Sequence, residues 1–141
     1  MKKTIMTIIL VSNLFAFDDV NVSKLVSVYD GDTFKVNINS YPSIVGKKIS
    51  IRVRGIDTPE LRTRKKCEKL LGYKAKEIAK ELLLNSKVIE LRNIKRGKYF
   101  RIVADVYLDN NVSYASELLK SGLAVPYDGG HKSKVWCSKI N

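Results

Sequence analysis

The sequence predicts an α+β fold, a small five-stranded Greek-key barrel with two to three helices packed against it. Three observations carry this expectation. Strict alternation of apolar and polar residues marks short strands, one longer run repeats its apolar residues at helical spacing, and the elements follow the order three strands, helix, two strands, helix. That order is α+β, and five short strands of this kind fit a barrel of the OB type.

The first strand alternates Leu25, Ser27 and Tyr29 against Val26 and Val28 and stops at the turn Asp30-Gly31-Asp32. The second sets Phe34, Val36 and Ile38 against Lys35, Asn37 and Asn39. Tyr41-Pro42-Ser43 and Gly46 then read as a loop. A third strand, Lys48 to Ile56, places Ile49, Ile51 and Val53 on one face and Ser50, Arg52 and Arg54 on the other, so its polar face is cationic. Thr58-Pro59 ends it, and Arg62 to Lys66 is a basic stretch, read as a solvated loop, that leads into a helix with the stripe Leu71, Ala75, Ile78 and Leu82. Lys87 to Leu91 is β-like, Asn93 to Lys98 reads as a hairpin turn, and Arg101 to Leu108 is the fifth strand. A second helix from about Ser113 to Ser121 turns Ala115, Leu118 and Leu119 inward and ends at Gly122, the residue type helices favour there. From Leu123 to Asn141 the expectation is irregular or briefly helical chain. Tyr29, Tyr73, Tyr107 and Tyr114 fall on regular elements and read as structural.

At the start, Lys2-Lys3 precede an apolar run from Ile5 to Phe17. A membrane helix needs about 20 apolar residues, so the run reads as a signal peptide, residues 1–16, cleaved after Ala16, rather than a retained anchor. Residues 17–141 then form a single domain with one core, and the mature protein is expected to be secreted or periplasmic and monomeric. Cys67 and Cys137 are the only cysteines. In an exported protein they can pair, provided their Cα atoms come within about 7 Å; inside the cell they would be thiols.

The chain carries 26 Lys and Arg against 14 Asp and Glu, a formal net charge of +12. Such a surplus suits a polyanion. Against it stand two short acidic segments, Asp30-Gly31-Asp32-Thr33 and Ile56-Asp57-Thr58-Pro59-Glu60. Carboxylates clustered beside turn-forming Gly and Pro suggest a site for a hard cation, and cation and polyanion together suggest metal-dependent cleavage of nucleic acid.

Four signals in order carry a more specific reading: Asp30-Gly31-Asp32-Thr33, Arg52 followed by Asp57-Thr58-Pro59-Glu60, then Lys98-Tyr99-Phe100-Arg101, and Gly122-Leu123-Ala124 after the second helix. Over roughly Lys24 to Tyr127 the chain resembles the staphylococcal nuclease (thermonuclease) family. The resemblance implies an OB-fold barrel, Ca2+ as cofactor, and hydrolysis of DNA and RNA phosphodiesters that leaves 3′-phosphate ends, with unpaired strands preferred. Carried over position by position, it implies that Asp32, Asp57 and the backbone carbonyl of Thr58 hold Ca2+, that Glu60 is the candidate general base, and that Arg52 and Arg101 grip the scissile phosphate. Lys98 and Tyr99 would touch a neighbouring phosphate, and Tyr127 approximately matches a tyrosine beside the base pocket. Phe100 departs from the pattern, since the family usually has Gly there, and the segment after Glu60 differs too.

These residue types suit the chemistry. Attack on a phosphodiester builds negative charge on its oxygens, which fixed positive charge must stabilise. Arg supplies a planar, permanently charged fork, and a carboxylate such as Glu60 can orient or deprotonate a water. The competing reading is a catalytically inactive OB-fold protein that binds nucleic acid through its basic face. A third is an exported polyanion binder with no chemistry. His131, the only histidine, receives no role, and Trp136 reads as tail packing.

Overall fold

A computed structural model of the chain describes residues 19–132 and 136–137. The expected leader, residues 1–16, and its cleavage point after Ala16 lie outside the described residues. No helix among those described is long and apolar enough to cross a membrane.

Among the described residues nine strands form in chain order: β1 (Val20–Asn21), β2 (Lys24–Val28), β3 (Thr33–Asn37), β4 (Ile49–Val53), β5 (Ile56–Asp57), β6 (Glu90–Arg96), β7 (Ile102–Leu108), β8 (Val112–Ser113) and β9 (Val125–Pro126). The five long ones are the expected strands. They lie in a seven-stranded sheet of order β1-β6-β7-β4-β3-β2, with β8 on β7, curled into the half-barrel of an OB-type α+β fold, while β5 and β9 pair separately. Three α-helices among the described residues accompany them: α1 (Ser43–Gly46), α2 (Lys66–Asn85) and α3 (Tyr114–Lys120).

Alternation builds the core directly. Phe34 and Val36 from β3, Ile49, Ile51 and Val53 from β4, and Ile102, Ala104, Val106 and Leu108 from β7 all point inward and are buried. Their neighbours point outward, which leaves Arg52 and Val103, partners across the parallel β4–β7 ladder, on the outer face. Tyr114 closes one end of the core, its ring 6.0 Å from Phe34.

The structure corrects the sequence reading in several places. A register shift between Leu25 and Ser27 breaks the alternation of β2, so Leu25 and Val28 both pack on the core while Val26 is exposed. A bulge of this kind puts one extra residue on one strand and flips the faces beyond it. The chain around Ser43 forms the single turn α1 rather than loop. β6 runs through Asn93 to Arg96, so the hairpin turn lies later, at 97–101. The buried stripe of α2 is Gly72, Ala75, Ala79 and Leu83, rotated from the expected one, with Ile78 and Leu82 only flanking the core. Small residues face inward there because the helix lies against the backbone of Pro59 and Glu60.

α3 follows expectation: Ser113 caps its start by accepting the Ser116 N–H, and the chain leaves at Gly122. Cys67 and Cys137 are joined in a disulfide, with Cα atoms 6.3 Å apart. The bridge ties the C-terminal tail to the first turn of α2.

Candidate active site

The turn between β2 and β3 is closed by Tyr29 and Asp30 N–H groups donating to the Thr33 carbonyl, and the Asp32 N–H donates to Asp30 Oδ1 at 3.1 Å. The Asp32 carbonyl in turn accepts from Val53 N–H at 2.9 Å, which fixes the turn against the end of β4. Asp57 stands at the end of β5, held by pairing of β5 with β9. The two acidic segments, far apart in sequence, are joined directly: Asp32 Oδ2 accepts from both the N–H and the hydroxyl of Thr58, each at 3.0 Å. Asp32 and Asp57 are 5% and 4% exposed. Carboxylates this buried persist as ions only with cations or several donors beside them.

Arg52 supplies one cation. Its Nη1 lies against Asp32 Oδ1 and its Nη2 is 3.3 Å from Asp57 Oδ1. The Nη1 contact is an ion pair without hydrogen-bond alignment, so this buried donor has no hydrogen-bond partner among the described residues. Lys132 supplies the second: its Nζ is 2.8 Å from Asp57 Oδ1 and also contacts Glu60 Oε1. Burial works against the charge on Lys132, but the hydrogen bonds to Asp57 and Glu60 outweigh it and hold its pKa above the ordinary value. Asp30 is pushed up to about 7, first by burial and then by the charge of Asp32. The Tyr114 hydroxyl donates to the Gly31 carbonyl at 2.7 Å, and burial raises its pKa, so it serves as a neutral brace under the turn.

Above the acids lies one groove of about 1300 Å³. Asp32, Arg52, Asp57, Glu60, Lys98, Tyr99, Arg101 and Tyr127 all line it, and Thr58 is buried behind it. Arg101 immediately precedes β7, where Ile102 pairs with Ile51 and Val103 with Arg52. Ile102 points into the core, so Arg101 shares the outer face with Val103 and hence with Arg52. The parallel β4–β7 ladder therefore places both guanidiniums on one wall. Tyr127 is set by its N–H donating to the Gly55 carbonyl at 2.9 Å, and its ring lies 5.9 Å from the Arg52 guanidinium. Glu60 is half exposed; its N–H donates to Glu68 Oε1 from the first turn of α2 at 3.4 Å.

Sequence reasoning missed several lining residues. Tyr29, read as structural, lines the groove with Arg62 stacked 5.4 Å from its ring. Arg54 also lines it, tied to Asp105. Lys132 carried no local signal at all. Its only pointer was Cys137 a little further on, because the bridge to Cys67 returns the tail to the start of α2, beside Glu60.

Among the described residues no cluster of three or more acidic, His or Cys side chains forms a complete metal cage. The donors present are hard carboxylate oxygens, buried and already balanced by cationic side chains. That set fits a hard divalent cation whose remaining ligands are solvent and substrate oxygens.

Residues 50–136 match the family model described as "Staphylococcal nuclease homologue". The chain is 39% identical over 112 residues to "Endonuclease YncB" of Bacillus subtilis, covering 74% of this chain and 49% of that protein. It is 34% identical over 126 residues to "Uncharacterized protein MJ1439" of Methanocaldococcus jannaschii, covering 74% and 58%. It is 32% identical over 102 residues to "Thermonuclease" of Staphylococcus hyicus, covering 72% and 56%. The chain thus spans about half the length of these relatives.

Proposed function

This chain belongs to the staphylococcal nuclease family, and we propose that it is an exported, Ca2+-dependent endonuclease that hydrolyses phosphodiester bonds of DNA and RNA without regard to the sugar, leaving 3′-phosphate ends. The observation that supports this best is the convergence of Asp32, Asp57, Arg52, Arg101 and Glu60 on one groove.

Asp32, Asp57 and the Thr58 carbonyl would hold Ca2+, which when bound supplies positive charge beside a phosphate oxygen. The protein's own groups do the rest. Arg52 and Arg101 donate to the phosphate oxygens on which charge accumulates. Glu60, which shares Lys132 with Asp57, accepts a proton from water or orients it, with a rate effect of about 10²–10⁴-fold. Lys98 and Tyr99 hold the next phosphate, and Tyr127 borders the base.

Incubating the purified protein with single-stranded DNA in Ca2+ and then in chelator tests the reading. Cleavage that requires the metal and yields 3′-phosphate ends is expected. Strong binding with no cleavage in either condition would replace it with the inactive nucleic-acid binder.

A further inference from the structure

The turn from β6 to β7 consists of Lys98, Tyr99 and Phe100 between Gly97 and Arg101. Gly97 N–H donates to the Arg101 carbonyl at 2.8 Å, and Arg101 N–H to the Lys98 carbonyl at 3.2 Å. A Cβ on Gly97 would stand 2.8 Å from Val103 Cγ2, so the strands close tightly and the residues between them must turn sharply. Tyr99 and Phe100 absorb that turn at φ 56° and 59°. For a bulky aromatic residue this left-handed conformation is strained, whereas Gly adopts it freely. Neither ring gains burial in exchange: Tyr99 is 88% exposed and Phe100 54%. Strain retained on exposed aromatic rings points to a ligand rather than to folding.

The surroundings identify the ligand. Residues 95–101 contain Lys95, Arg96, Lys98 and Arg101 and no acid. The Arg96 guanidinium sits 4.0 Å from the centroid of the Phe100 ring, backing it with a cation. Lys98, Tyr99 and Arg101 line the groove, and Phe100 stands next to them just beyond its lining. A strand whose phosphate lies at Arg101 and which leaves the groove past this turn meets cations for its backbone and an aromatic face for its base. Ring faces accept any base, but only one not already stacked in a duplex.

We propose that Phe100, backed by Arg96, is a stacking platform for an unpaired nucleobase of the substrate strand. This subsite rests on the nuclease reading of the groove and gives that site its preference for unpaired strands.

The test is fluorescence anisotropy in chelator, at fixed salt, with a labelled oligothymidylate and an abasic oligomer of equal length. Phe100→Gly removes the ring and also the backbone strain, so its melting temperature should not fall. It should lose about tenfold in affinity for oligothymidylate and nothing for the abasic strand. Phe100→Tyr should bind as the parent does, and Phe100→Leu, which keeps apolar bulk without a π face, should behave like the Gly variant. Unchanged oligothymidylate affinity in Phe100→Gly, or equal losses on both probes, overturns the platform while Ca2+-dependent cleavage by the parent leaves the nuclease reading standing. A parent that binds neither probe and cleaves nothing overturns both.

Discussion

At the scale of single residues, the site is a balance of charges. Asp32 and Asp57 are buried, and Arg52 and Lys132 are the cations set against them. Glu60→Ala removes the half-exposed carboxylate without touching the core, so the fold should persist while kcat falls by about 10²–10⁴-fold; steady-state kinetics alongside a thermal melt checks this. In the proposed metal site, Lys132 would share Asp57 Oδ1 with the incoming cation. Lys132→Met should therefore tighten Ca2+ binding, by about tenfold or more, as read by calorimetric titration; weaker binding would mean that Lys132 supports the metal site instead of competing with it. The acids were legible in the sequence because turn residues mark them locally, and Arg52 through the family resemblance that singles it out five residues before Asp57. Lys132 was not, because the pairing of β9 with β5 and a crosslink, both between segments distant in sequence, bring it to Glu60.

At the scale of elements, close approach decides where the site lies. A Cβ on Gly72 would stand 2.9 Å from the Pro59 carbonyl oxygen and 3.0 Å from Leu61 Cδ2. Gly72→Ala gains about 1 kcal/mol of helix propensity but overpacks at a cost of about 1–3 kcal/mol, so the melting temperature should drop. Because the yielding backbone carries Glu60, turnover should fall too, by up to about 10²-fold. Asp109, after β7, accepts N–H groups from Lys87 at 2.9 Å and Val88 at 2.7 Å and so fixes the connection from α2 to β6. These two bonds, Lys87 first, hold its carboxyl below the ordinary value. A lowered folded-state pKa contributes stability that is complete above the unfolded value and lost as pH falls through the folded one. The melting-temperature gap between the parent and Asp109→Asn should therefore be open at neutral pH and close below about pH 4. β3, β4 and β7 were readable because strict alternation survives in them. β2 was misread because a bulge reverses its faces, and β9 because Val125–Pro126 is too short to show any period.

At the scale of the whole molecule, a +12 chain folds so that two acidic segments meet among Lys and Arg side chains in one groove. Contacts with several phosphates release counterions, so affinity for single-stranded DNA should fall steeply between low and moderate salt, and a flat salt dependence would contradict the electrostatic reading. The disulfide links positions 70 residues apart. Cys137→Ser should lower unfolding stability by about 2–4 kcal/mol in denaturant titration. The α+β class and the OB-type barrel were legible from element order, whereas the return of the tail over the groove depends on tertiary pairing that no local pattern encodes. What unites these levels is the proposal that two guanidiniums on adjacent strands hold one phosphate, and a double-mutant cycle tests that directly. Arg52→Lys and Arg101→Lys keep the charge and lose the fork, and each should reduce kcat/KM on oligothymidylate by about 10²-fold. With a shared phosphate, the double variant should lose clearly less than the product of the two; losses that simply multiply, or none at all, would contradict it.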